Sequence, residues 1–214
     1  MNKFSEIYKS PIIKFIFTNL FLISLLTILF LSSNVPIFCI GFLLDCLFII
    51  GASSLIYFIF GNDNLKNAVF TIISLFLTIL FIADHIYYGN FEKFASIVSL
   101  NNLHMVMENA DAYGVSLDIV AVILLLDCVL FNVFLYTNKT ESLNLLDRIH
   151  FFYFSILLII PFIATYIMAY NDFDKLDIIL FPKRYKFPEF VTNYGYLIYR
   201  YEDIAVVLDS QIGG

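Results

Sequence analysis

Tryptophan is absent from this chain and charge is scarce, with Asp, Glu, Lys and Arg making up 14% of 214 residues. A soluble domain carries about 25% charged residues and about 45–50% apolar ones. Here the apolar share is 61%. A soluble fold of this length cannot hide that much apolar surface, because too large a fraction of its residues lies outside. Basic residues are also in deficit, and the formal charge of −6 excludes the basic stripe that nucleic acid requires. Cysteine is too rare for a disulfide framework. Cys39, Cys46 and Cys128 all lie within apolar blocks and read as small buried hydrophobes. Without Trp, any aromatic belt at a membrane surface must be built from Tyr.

What is present is hydrophobicity in blocks. A helix needs about 20 mostly apolar residues to cross about 30 Å of hydrocarbon. Five segments meet that length, at 15–31, 37–60, 68–87, 117–136 and 151–170. The expected fold is an all-α membrane protein, a bundle of about five transmembrane helices occupying residues 1–170. The first run follows Lys3, Lys9 and Lys14 as a signal peptide would. It exceeds the usual signal length, however, and 32–36 offers no small-x-small cleavage site, so an uncleaved helix is expected.

Lysine and arginine in the short loops set the orientation. With the N-terminus in the cytoplasm, Lys3, Lys9, Lys14, Lys66, Lys139 and Arg148 are cytoplasmic, and only Lys93 lies in an outer loop. Residues 171–214 then form an extracytoplasmic linker. Two outer segments carry helical stripes. Phe91, Phe94, Ala95 and Val98, then Leu103, Val106, Met107 and Ala110, predict amphipathic helices within 91–113. In the linker, Leu197, Tyr201, Ile204, Ala205 and Leu208 predict another. Segments of this kind lie at the interface or pack across the bundle mouth.

Ionisable groups within spans are the first candidates for function, since each costs about 2.5–3.5 kcal/mol at mid-membrane on insertion scales. They are Asp45 and Asp127, with Asp84 and His85 at the end of the third span. An ion path or a polar site for a lipid headgroup would use them. So would a structural hydrogen bond between helices. Asp84, His85 and the neighbouring Tyr87 are the substrate or headgroup candidates at the outer interface. Lys183, Arg184 and Lys186 form a basic cluster able to touch anionic headgroups, unless they are simply a solvated turn. His85, His104 and His150 show no metal-ligand spacing. No phosphate loop or nucleophile elbow occurs, so no cofactor, metal or catalytic residue is expected in this chain.

The stretch from Ala83 to Phe94, with Asp84, Tyr87, Tyr88, Phe91 and Phe94 followed by Ser99 and Asn102, resembles the end of the third span in the lipoteichoic acid synthase-like family of sulfatase-fold phosphoglycerol transferases. Gly195, Tyr199 and Asp203 are similar to that family's linker, while Ile198 and Glu202 depart from it. The resemblance implies five spans in a bacterial cytoplasmic membrane, a cytoplasmic N-terminus and an extracytoplasmic linker. It also implies an extracellular catalytic domain using a divalent metal such as Mn. The family's Thr nucleophile and metal ligands have no counterpart in these residues, so none is carried over. The expected partners are membrane lipids and a sulfatase-like domain or downstream gene product. The rival expectations are a small transporter using Asp45, Asp84 and Asp127, and a ligand-free scaffold.

Overall fold

Inside hydrocarbon every backbone N–H and C=O must be paired within its own segment, so apolar runs of this length become helices. The computed structural model describes residues 10–91, 118–140, 143–172, 187–201 and 203–204. Five long helices account for the runs: α1 (Pro11–Ser32), α2 (Ile40–Ile59), α3 (Asp63–Phe91), α4 (Ile119–Thr137) and α5 (Leu145–Asp172). All five are long and apolar enough to cross a membrane. Among the described residues there is no strand. A sixth helix, α6 (Phe187–Tyr194), is followed by a tail that is helical at 196–201 and again at 203–204. The segments 92–117 and 173–186, including the expected amphipathic pieces up to residue 113, lie outside the described residues.

Local signals account for the ends. Pro11 occupies the first turn of α1, where its missing N–H is not needed. Past the last turn, Asn34 adopts φ 53°. The Val35 N–H reaches Phe30 O at 3.0 Å and the Asn34 N–H reaches Leu31 O at 3.4 Å, the two closing bonds of a Schellman cap. The Cys39 sulfur accepts from Phe42 N at 3.3 Å and caps α2. Asp118 caps α4 through Val120 N and Ala121 N, both at 3.0 Å.

Helix α1 is the centre of the bundle. It packs on α2, α3 and α4, while α5 packs mainly on α2, and α3 pairs with α4. Leu25, Leu26, Leu29 and Phe30 of α1 are fully enclosed. Gly51 lets α2 and α5 approach closely: a Cβ there would lie 2.8 Å from Ile159 Cγ1. Close backbone approach through small residues is a usual route to tight packing where no hydrophobic force acts between helices. Polar stitches add to it, with Asn67 donating to Leu135 O at 2.9 Å and Asn132 to Ser74 Oγ at 3.2 Å.

Three helices begin earlier than their apolar windows. Helix α1 starts at Pro11 rather than 15, α3 at Asp63 rather than 68, and α5 at Leu145 rather than 151. Each extension carries charge, namely Lys14, Asp63 with Lys66, and Arg148. These groups meet at one end of the bundle, the base, and compensate one another there. A window that stops at the first charge cannot register such pairing. The other end, where α6 and the tail lie, is the mouth.

Candidate functional site

At the mouth, two fully buried carboxylates receive the tail. Asp45, in the second turn of α2, accepts from the backbone N–H groups of Tyr196 at 2.7 Å and Leu197 at 3.0 Å. These are the first N–H groups of the tail helix, the position that an N-capping carboxylate normally serves from within its own chain segment. Here the cap comes from 151 residues away. The geometry depends on two glycines. Gly195 has φ +97°, and a Cβ on it would lie 2.6 Å from Asp45 Oδ1. A Cβ on Gly41 would lie 1.9 Å from Val191 O. Only glycine lets α6 and the tail lie directly on α2.

Asp84, on α3, holds the tail from the other side. The Tyr196 hydroxyl donates to Asp84 Oδ2, and the Arg200 guanidinium forms an ion pair with Oδ1. Arg200 Nε donates back to the Tyr196 oxygen at 2.9 Å. Its remaining terminal nitrogen reaches Asp203 at 3.3 Å. The guanidinium also lies over the rings of Tyr196 and Tyr199, at 5.2 and 5.4 Å from their centroids. Phe81 closes the pocket with an edge-on contact to Tyr196 at 5.4 Å. Burial, and then the neighbouring Asp84 carboxylate, raise the Tyr196 phenol well above its ordinary pKa. It therefore stays protonated and keeps donating.

The buried residues of the tail helix are Tyr196, Ile198, Tyr199, Arg200 and Asp203, of which Tyr196, Tyr199, Arg200 and Asp203 are spaced i, i+3, i+4, i+7. Of the expected apolar stripe, Leu197 packs against the core, Tyr201 and Ile204 are 51% and 43% exposed, and Ala205 and Leu208 lie outside the described residues. Tyr201 still meets the bundle, edge-on to Tyr166 of α5 at 4.9 Å.

His85 points from α3 to α4, with Nε2 2.7 Å from Asp118 Oδ2. The same carboxylate caps α4 through its other oxygen. Desolvation works against the Asp118 charge, but the His85 contact and two backbone N–H groups outweigh it and hold its pKa below the usual carboxylate value.

The structure brings Asp45, Asp84 and His85 to the mouth, with Tyr87 half-buried on the same end of α3. Asp127 is not part of that group. It accepts from Ser24 Oγ at 2.6 Å, linking α4 to α1 within the span. Lys183, Arg184 and Lys186 lie outside the described residues. Tyr196 and Arg200 were not singled out from the sequence, and Asp203 entered only through the family resemblance. Their signal was a polar helical stripe directly after Gly195. Among the described residues no group of three or more His, Cys, Asp or Glu could hold a metal ion.

The base has its own cluster. Asp63 accepts from Lys14 Nζ at 2.9 Å, from Thr140 Oγ1 at 2.7 Å and from Thr140 N at 3.2 Å. Lys66 Nζ is 3.5 Å from the same carboxylate and lies 4.6 Å from the Tyr57 ring centroid. Arg148 closes α2 by donating to Phe58 O at 2.7 Å and Ile59 O at 3.0 Å, where a cation suits the helix dipole.

Fold and mouth together define a multi-pass α-helical membrane protein whose C-terminal tail is docked onto its own bundle. Comparison with models of known protein families, with curated proteins and with solved structures finds no match to this chain.

Proposed function

We propose that this chain is a membrane-anchoring module of the kind found in lipoteichoic acid synthase-like phosphoglycerol transferases of the bacterial envelope. The observation that carries this reading is the tail itself. A chain that leaves the last span and returns to the mouth, held by Asp45 and Asp84, gives whatever follows it a fixed position over the lipid surface. Tethering a catalytic domain there replaces a search in three dimensions with a high local concentration of lipid substrate. The carboxylates that a transporter would need are used in these structural contacts. Asp45 caps a helix, Asp84 binds Arg200 and Asp127 holds Ser24.

The orientation belongs to the same proposal. Lys14, Lys66 and Arg148 gather at the base with Lys139 in the loop beside them, which favours a cytoplasmic base and N-terminus. The mouth and tail are then extracytoplasmic. Two observations test the proposal. The reading frame or the adjacent gene is expected to continue into a sulfatase-fold domain, and a transporter operon instead would remove its main support. Whole-cell labelling with an impermeant thiol reagent is expected to modify Ser210→Cys and spare Ser142→Cys. The reverse pattern would overturn the orientation.

A further inference from the structure

At the base, a groove of about 550 Å³ lies between the opening turns of α1 and α5, lined from Ser10 to Ile16 and from Leu143 to Phe154. Its back wall is Phe15 and Phe151, which form an aromatic triangle with the buried Tyr57 behind them and tie three helices together. Phe15 meets Phe151 at 5.0 Å and Tyr57 at 5.2 Å, and Tyr57 meets Phe151 at 5.2 Å. Ile12, Ile16 and Phe154 form the sides. All of these belong to the membrane-crossing helices, so hydrocarbon is the solvent that reaches them. Towards the helix starts the lining turns polar, with Ser10, Asp147 and His150. An apolar trough leading to a polar rim matches an amphiphile with one chain in the trough and its headgroup at the rim.

The charge at the rim selects the headgroup. Asp147 is exposed and has no cation paired with it among the described residues. The adjacent Arg148 is turned away onto Phe58 O and Ile59 O, and Lys14 is turned inward onto Asp63. We infer that this groove binds one membrane phospholipid bearing a cationic amine in its headgroup, of the phosphatidylethanolamine class, with the amine on Asp147 and an acyl chain against Phe15, Phe151 and Phe154. The volume falls within the range of about 300–1,000 Å³ usual for small-molecule sites. An anionic headgroup would meet the Asp147 carboxylate directly and is disfavoured.

The test uses the full chain reconstituted with equal parts phosphatidylethanolamine, phosphatidylglycerol and phosphatidylcholine, then released for native mass spectrometry. One phosphatidylethanolamine is expected to be retained over phosphatidylglycerol by about threefold or more, the scale of one partly screened ion pair. Asp147→Asn should abolish that preference with only a small fall in the thermal midpoint, because the side chain is exposed in the first turn of α5. Ile16→Trp, placed at a half-exposed position on the groove wall, should lower retention of all three lipids together. Equal retention of the three, preference for phosphatidylglycerol, or a preference that survives both substitutions would overturn the proposal.

Discussion

The two ends of the bundle both bury charge, but they draw its compensation from different places. At the base, Lys14, Asp63, Lys66 and Thr140 come from bundle helices and the short loop after α4, and Arg148 comes from the first turn of α5. At the mouth, the counter-charge for Asp84 comes from a tail 116 residues away, reached only after the chain has left the last span. The base cluster stitches neighbours that the apolar runs would place together anyway. The mouth cluster creates a contact that hydrophobicity alone does not provide. A base of this kind can be weakened gradually, whereas the mouth depends on a few groups that succeed or fail together.

The largest effect separating the two ends is expected from Arg200→Ala. It leaves Asp84 buried without its cation, a loss of about 3–5 kcal/mol for a broken buried pair. The tail should become cleavable by protease while the five long helices keep their helical signal. Adding Asp84→Asn should recover part of the loss, as a double-mutant cycle would show. Gly41→Val comes next. Its side chain collides with Val191 O, so the tail should be released to a similar degree although no charge has changed. Intact docking in Gly41→Val would mean that α6 does not need its close approach to α2.

A smaller and differently distributed effect is expected at the base. Asp63→Asn leaves Lys14 and Lys66 to repel each other, but both lie near a helix end that can open to the headgroup layer, where charge is tolerated. The thermal midpoint should fall by less than in Arg200→Ala, with the tail still protected. Tail release in Asp63→Asn would show that the two ends are coupled.

How much of this was legible in the sequence follows from the same contrast. The five helices were visible because each is a continuous apolar run, and Asp45, Asp84 and His85 stood out as charges within such runs. The base extensions were hidden, because a helix carrying Lys14 or Arg148 looks finished until its partner is seen. The buried polar side of the tail was hidden for a related reason. Leu197, Tyr201 and Ile204 form a plausible apolar stripe, and nothing local to 196–203 reveals that its receiving surface carries two carboxylates. Gly41 gave no signal and Gly195 entered only through the resemblance, since the role of both exists only where two backbones touch.

The smallest expected effect is a pH dependence between α3 and α4. The Asp118 carboxylate is held below its unfolded value of about 3.9, so its contribution is complete above that value and is lost as pH falls through the lower folded one. Acidification into that range should loosen the His85–Asp118 contact, read as faster amide exchange at Val120 and Ala121. Asp118→Asn should remove the dependence. Exchange that is independent of pH-driven protonation in the native chain would contradict it.

The central claim is that the tail is docked on the bundle through the buried Asp84–Arg200–Tyr196 group. Bridging of Tyr166→Cys and Tyr201→Cys by a short bifunctional maleimide tests it most directly, in a background with Cys39, Cys46 and Cys128 replaced, because the two ring centroids lie 4.9 Å apart. Rapid cross-linking in membranes is expected with Arg200 present, and its loss with Arg200→Ala. Absence of the cross-link in the parent, or a cross-link indifferent to Arg200, would contradict the docked tail.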